Sequence, residues 1–206
     1  MTKEINVQKN LQITQESLGL RLWYMTETSK LAPQLGFNTS FLRYISASLL
    51  NELCPAISKL GAEDIIQTVS SDKSLGHRTP HQEIVNEYIE LIKPILPILL
   101  SICEDTDSET VIVRTSPLDE VKRQDISFAG AYKSYIPKEN LTKRDHVLLG
   151  TANVLAGRYT KYAINYYERH GIASNRDVVL VYERPFYDLV NNAPLIHGTA
   201  YVCGNH

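Results

Sequence analysis

VVLVYERP, residues 178–185, is the stretch of sequence that decides the fold. It opens with four apolar residues, continues through Tyr182, Glu183 and Arg184, and stops at Pro185. A short apolar run that is bounded by polar residues and a proline predicts a buried β-strand. Because side chains alternate between the two faces of a strand, Glu183 and Arg184 cannot both point to the same face of the sheet.

A second strand is predicted near the end of the chain, where polar residues occupy alternate positions. These residues are His197, Thr199, Tyr201 and Cys203. On a strand, His197 and Thr199 share one face with their side chains roughly 7 Å apart, close enough to grip one anionic or carbonyl group together. A metal site from His197, Cys203 and His206 is not expected, because about 20 Å of strand separates the first two.

The two strands are predicted to form an antiparallel pair around a loop centred near Leu189. In that register Tyr182 lies opposite His197, and Arg184 lies opposite Leu195 on the same face. A slip of one residue exchanges Arg184 for Glu183, so both alternatives stay open. An arginine beside a histidine and a threonine suits a carboxylate or phosphate ligand, because the guanidinium fork binds such oxygens in pairs.

The candidate site residues follow from this geometry. His197 is the expected proton carrier, Thr199 a hydrogen-bond donor, and Arg184 an anion clamp. Glu183 is the alternative charged group and completes the predicted catalytic set. Tyr182 and Arg158 are predicted to contact the ligand together with Arg184.

Composition narrows the classes of function. The chain has 206 residues, of which 43% are hydrophobic and 21% charged, as is usual for globular proteins. A formal net charge of −2 means that the chain lacks the excess of positive charge that usually binds nucleic acid or an anionic membrane. Three irregularly spaced cysteines and a charged start predict a reducing cytoplasm. The longest apolar stretch, 95–100, contains Pro97 and is too short to span a membrane.

The first half of the chain reads as helical. Residues 38–53 combine capping residues with an apolar stripe and predict one helix of about four turns. Gly61 is placed at a helix C-terminus, followed by a short helix around Ile65. Thr79 and Pro80 predict the start of the next helix, which prolines 94 and 97 then interrupt before Cys103.

The second half reads as sheet with one long helix. The acidic stretch 104–109 is expected to be a linker between the halves. Strands are predicted at 111–117 and 126–135, and a helix from Thr151 to His170. The tyrosines on that helix, at 159, 162, 166 and 167, are spaced mainly three and four residues apart, which suits packing against a sheet.

These patterns predict one α+β domain, with a helical part at 1–103 and a mainly antiparallel sheet part at 110–206. The leading hypothesis is an enzyme that acts on a small anionic metabolite by acid-base chemistry in a cleft at the C-terminal sheet. The alternative is a non-catalytic interaction or regulatory protein that uses apolar surface of its N-terminal helices to bind a partner or, as a homodimer, a second copy of itself. The sequence contains no glycine-rich phosphate loop, CxxC, HExxH or GxSxG motif, so no cofactor is assigned.

Overall fold

The structure is a computed structural model of the chain. It describes residues 22, 26–27, 42–104, 111–119, 130–136, 141–172, 177–183, 187–188 and 193–194. The elements in chain order are β1 (Leu42–Ile45), α1 (Ala47–Leu53), α2 (Pro55–Lys59), α3 (Ala62–Ser71), α4 (Gln82–Ile92), a 3-10 turn (Lys93–Ile95), α5 (Leu96–Ile102), β2 (Ile112–Pro117), α6 (Lys143–Ala156), a 3-10 turn (Gly157–Tyr159), α7 (Lys161–Arg169), β3 (Val178–Glu183), β4 (Tyr187–Asp188) and β5 (Ala193–Pro194). This mixture of helices with an antiparallel sheet confirms the predicted α+β class.

Strand β3 is the centre of the main sheet, as its apolar sequence predicts. The strand order is β1-β3-β2, and both neighbours run antiparallel to β3. All six residues of β3 are buried. A strand that is hydrogen-bonded on both edges and covered on both faces requires such a continuous apolar run.

One face of the sheet packs on the helices and forms the main core. From β3, this core receives Val178, Leu180 and Tyr182. Helix α6 packs against β2 on one side and against α4 on the other, so that it lies between the sheet and α4. We call this the core face, and the opposite face, which carries Val179 and Val181, the second face.

Residues 38–53 do not form the single predicted helix. Residues 42–45 are strand β1, and α1 begins only after Ser46, whose hydroxyl accepts a hydrogen bond from the Leu49 backbone N–H at 3.2 Å. Pairing of β1 with β3 therefore outweighs the helical stripe, and the predicted helical part contributes an edge strand to the sheet.

Two other helix boundaries also differ from the predictions. Helix α4 begins after His81 rather than Thr79, because Thr79 closes a turn in which its N–H donates to the Gly76 carbonyl at 3.0 Å. Gly61 precedes α3 as its N-cap with an ordinary φ of −61°, so it does not end a helix in the left-handed region. The short helix after Gly61 and the proline interruption before Cys103 are confirmed.

The predicted helix from Thr151 to His170 is divided in two. Helix α6 begins earlier, at Lys143, and ends at Ala156 before a 3-10 turn. Thr160 then adopts an extended conformation, and its hydroxyl caps α7 by accepting from the Ala163 N–H at 3.2 Å. A side chain that can cap a new helix thus breaks a pattern that looks continuous in sequence.

The predicted pairing of the last strands is wrong in register. Tyr182 lies between Arg43 of β1 and Val113 of β2, so β3 has no edge left for the final strand. The C-terminal hairpin is made instead by β4 and β5, in which Tyr187 pairs with Pro194. Both neighbours of β3 come from earlier in the chain. The prediction was wrong because it paired β3 with the segment that follows it in sequence.

Residues 130–136, which we call the strap, lie along the outer edge of β2. Tyr135 exchanges two backbone hydrogen bonds with Val113, of 2.8 and 3.1 Å. The Tyr132 hydroxyl hydrogen-bonds to the Tyr167 hydroxyl of α7. The strap therefore includes the end of the strand predicted at 126–135, but it makes only an isolated bridge, and residues 120–129 lie outside the described residues.

Gly150 supplies the first test of this packing. A Cβ atom at Gly150 would lie 2.7 Å from Val113 Cγ2 and 3.0 Å from Tyr135 Cδ1. We expect Gly150→Ala to lower the free energy of unfolding by about 1–3 kcal/mol, because helix α6 would be pushed from β2 and the strap. Urea denaturation measures the change.

Gly157→Ala is the matched control, because its new Cβ would meet no heavy atom within 4 Å among the described residues. Its effect should stay within about 0.5 kcal/mol. An equal loss of stability in both variants would contradict the close approach of α6 to the sheet.

Candidate functional site

The second face of the sheet carries charged side chains at one end. Antiparallel partners share a face, so Arg114, opposite Val181, and Glu183, opposite Ile112, both lie on this side. The two residues are diagonal neighbours, a spacing that long side chains can bridge. An arginine and a glutamate within two apolar strands are therefore brought together by the register.

Arg114 and Glu183 form an ion pair that is mostly removed from solvent. Arg114 Nη2 donates to Glu183 Oε1 at 3.0 Å, and the two side chains are 17% and 10% exposed. From the other side, Arg114 Nη1 donates to the Ser134 hydroxyl of the strap at 2.9 Å. We call Arg114, Glu183 and Ser134 the Arg114 site.

The ion pair leaves hydrogen-bonding capacity on both partners. Buried Arg114 Nε and Glu183 Oε2 find no hydrogen-bond partner among the residues that the structure describes. A buried donor without an acceptor is costly, and such exceptions often mark functional positions. The site can thus offer an N–H donor to an anion and a carboxylate oxygen to a hydroxyl.

The second face also carries a covered apolar cluster. Leu22 packs on Val179 and Val181, and its backbone N–H donates to the Ser116 hydroxyl at 3.3 Å. Tyr44 of β1 and Leu118 pack against the same cluster. The apolar cluster therefore reaches Val181, which pairs directly with Arg114, and Glu183 lies beyond the cluster at the end of β3.

The structure describes three of the six predicted site residues. Glu183 belongs to the Arg114 site, and its predicted catalytic role beside His197 stays a prediction. Arg184, His197 and Thr199 lie outside the described residues, so their roles stay predictions.

Tyr182 points into the core, away from the Arg114 site. Its hydroxyl lies 3.0 Å from Thr151 Oγ1, and because Thr151 donates to the Val147 carbonyl at 2.7 Å, Tyr182 is the donor to Thr151. Burial raises the pKa of the Tyr182 phenol. The residue therefore joins β3 to α6 rather than lining the second face.

Arg158 is also buried, within a network of its own. Its Nη2 donates to the Tyr88 hydroxyl at 2.9 Å, and its Nε donates to the Leu155 carbonyl at 3.0 Å. The guanidinium lies 5.4 Å from the Tyr159 ring centre. These contacts hold the end of α6 against α4, and ligand contact by Arg158 stays a prediction.

Sequence reasoning missed Arg114 and Ser134. The available signal was an arginine directly after the apolar run Val111–Val113, in a segment already predicted as a strand. A charged residue inside a buried strand requires a partner, and Glu183 at the end of β3 is the matching charge. Only the pairing of β2 with β3 shows that these two residues meet.

Two other kinds of site are absent from the described residues. No helix in them has both the length and the apolar character needed to cross a membrane. In those same residues, no group of three or more histidine, cysteine, aspartate or glutamate side chains could hold a metal ion.

Comparison with protein families gave a match. Residues 38–181, well over half of the chain, match the family described as pyruvate phosphate dikinase, AMP/ATP-binding domain. The matched region contains β1, all of β2 with Arg114, the strap, and β3 up to Val181. The search of curated proteins found no significant match.

A double-mutant cycle tests the ion pair. Arg114→Gln and Glu183→Gln, alone and combined, should give a coupling free energy of about 1.5 kcal/mol or more, because each single change leaves a mostly buried charge unpaired. Urea denaturation at neutral pH provides the four stabilities.

Lys93 and Glu90 form the control pair, with side chains that are 51% and 68% exposed. Their coupling should stay below about 0.5 kcal/mol. Equal coupling in the two cycles would mean that the Arg114 pair is no more than an ordinary surface ion pair.

Proposed function

The chain belongs to the family of the pyruvate phosphate dikinase AMP/ATP-binding domain, and we propose that it binds an adenine nucleotide by its phosphate groups at the Arg114 site. The observation that carries this proposal is the mostly buried Arg114, whose Nε finds no acceptor among the described residues. An adenine nucleotide belongs to the class of small anionic ligands that the sequence predicts.

Arginine suits this role because its planar guanidinium donates several parallel hydrogen bonds to phosphate oxygens. Glu183 and Ser134 fix the guanidinium from two sides, at 3.0 and 2.9 Å. Fixing the donor before the ligand arrives reduces the entropy lost on binding. The partial burial of the site strengthens its interaction with an anion, since less water screens the charges.

Besides fixing the Arg114 guanidinium, Glu183 has a second role in the proposed site. Its Oε2 atom, which has no partner among the described residues, can accept a hydrogen bond from a hydroxyl group or take a proton from it. This retains the acid-base role predicted for Glu183. The charge of Glu183 also balances Arg114 in the absence of a ligand, so that the site does not bury a lone cation.

We further propose that the protein is an enzyme acting on an anionic metabolite. A bound ATP would supply a phosphoryl group for such a reaction. His197 as proton carrier, Thr199 as donor and Arg184 as anion clamp remain part of this proposal. So do a cytoplasmic location and the absence of nucleic-acid and membrane partners.

The alternative function, an interaction protein with an apolar docking surface, has less support. Among the large apolar side chains of the described residues, Ile136 alone is exposed, and it belongs to the strap. The N-terminal helices α1 to α5 in that part of the chain bury their apolar stripes in the main core. The described residues of these helices therefore show no exposed apolar patch that would support a homodimer.

Isothermal titration calorimetry tests the proposed function. ATP and AMP should bind the unmodified chain, whereas adenosine, which lacks phosphate, should bind at least about tenfold more weakly. Arg114→Lys should weaken ATP binding by about tenfold or more, because lysine keeps the charge but loses the planar fork.

Arg144→Lys is the control, since Arg144 is an exposed arginine on α6 and is not part of the Arg114 site. Its affinity for ATP should stay within about twofold of the unmodified chain. No heat of binding at millimolar ATP, or equal affinity in the two lysine variants, would refute the proposal.

A further inference from the structure

His146 is a buried histidine that joins three parts of the fold. It lies in the first turn of α6 and is 1% exposed. Its Nε2 atom is 2.9 Å from the carbonyl oxygen of Val111, which can only accept, so Nε2 carries a hydrogen atom and donates. Its ring centre lies 5.3 Å from that of Tyr135 in the strap. One imidazole therefore contacts α6, the start of β2 and the strap.

Both of these contacts lead to the Arg114 site within a few residues. Tyr135 is held to Val113 by its two backbone hydrogen bonds, and it directly follows Ser134, the residue that accepts from Arg114. Val111 lies three residues before Arg114 on the same segment. A shift of the His146 ring would thus reach Arg114 through the strand and Ser134 through the strap.

We propose that His146 is a positioning residue for the Arg114 site, and that it holds Ser134 and Arg114 in place only while its imidazole is neutral. Nucleotide affinity should then fall in mild acid. This inference rests on the proposed function, because it assumes that the nucleotide binds where Arg114 and Ser134 meet.

The surroundings of His146 disfavour its charged form. Burial, the larger effect, lowers the pKa of His146 below its ordinary value of 6.5, while the hydrogen bond to Val111 opposes the shift. The elements packed against α6 and against His146 carry several exposed charges, namely Glu83, Glu87 and Glu90 of α4 and Lys133 of the strap. The other titratable or charged side chains on these elements, and beside His146 on α6, are Tyr88, Cys103, Arg114, Tyr132, Tyr135, Arg158, Tyr159, Tyr182, Lys143, Arg144 and Asp145.

None of the buried groups in this set supplies a negative charge near neutral pH. Burial raises the pKa of the Cys103 thiol to about 11 and also raises the pKa of the phenols of Tyr88, Tyr135 and Tyr182. The carboxylate of Asp145 lies at the exposed start of α6, where it accepts from the Thr142 hydroxyl at 2.7 Å.

The direction of the pH effect follows from linkage. The lowered pKa means that the folded arrangement binds a proton less readily than the open or unfolded chain. Its stability is therefore fully present above the ordinary pKa of 6.5 and decreases as the pH falls below that value. Protonation favours states in which the His146 ring leaves the strap and β2.

The test compares ATP affinity at pH 7.5, 6.5 and 5.5 in the unmodified chain and in His146→Gln. Glutamine can still donate to the Val111 carbonyl but does not titrate. We expect the affinity of the unmodified chain to fall about fivefold more than that of the variant over this range. The phosphate groups of ATP also titrate near pH 6, but this contribution is the same for both proteins and cancels in the comparison.

Nuclear magnetic resonance supplies a readout that needs neither ATP nor a variant. The Ser134 and Tyr135 amide shifts should titrate with the same midpoint as the His146 ring in the unmodified chain. Parallel affinity profiles in the two proteins, or amide shifts that do not follow the ring, would overturn the inference. If the amides follow the ring but ATP does not bind at any pH, the positioning role stands and the proposed function fails.

Discussion

The pairing of β2 with β3 is the constraint on which the rest of this structure depends. Because β3 is hydrogen-bonded on both edges and buried on both faces, its alternating side chains are divided between the core and the second face. The same register that sends Tyr182 into the core brings Glu183 beside Arg114. A charged pair thus becomes part of a sheet that is otherwise apolar at its centre.

Helix α6 connects this sheet to the remainder of the fold. Gly150 allows the helix to approach Val113 and Tyr135 closely, Thr151 accepts from Tyr182, and His146 donates to Val111. Small and polar residues in one helix therefore fix the position of β2, β3 and the strap at the same time. The Arg114 site takes its geometry from these contacts, although no α6 side chain is part of the site as defined.

The sequence predicts those features that depend on local pattern and misses those that depend on pairing. The apolar runs at 111–117 and 178–183 identify two strands correctly, because buried strands need such runs. Residues 42–45 were assigned to a helix because their stripe suits both structures, and only contact with β3 selects the strand. The final register was wrong because β3 pairs with strands that are distant in sequence.

The candidate site shows the same division. Glu183 is recognisable in the sequence as a charged residue at the end of a buried strand, but its partner Arg114 could not be identified without the register. Tyr182 was chosen by its neighbourhood in sequence, yet strand alternation places it on the other face. Ser134 carries no signal of its own, since a serine in a polar segment is common, and its role depends on the strap lying along β2.

The most direct test of the account is an experimental structure of the full chain with ATP or AMP bound. The account predicts that a phosphate group lies within hydrogen-bond distance of the Arg114 guanidinium, on the second face of the sheet and beside Glu183 and Ser134. A nucleotide bound elsewhere, with the Arg114–Glu183 pair unchanged, would contradict it.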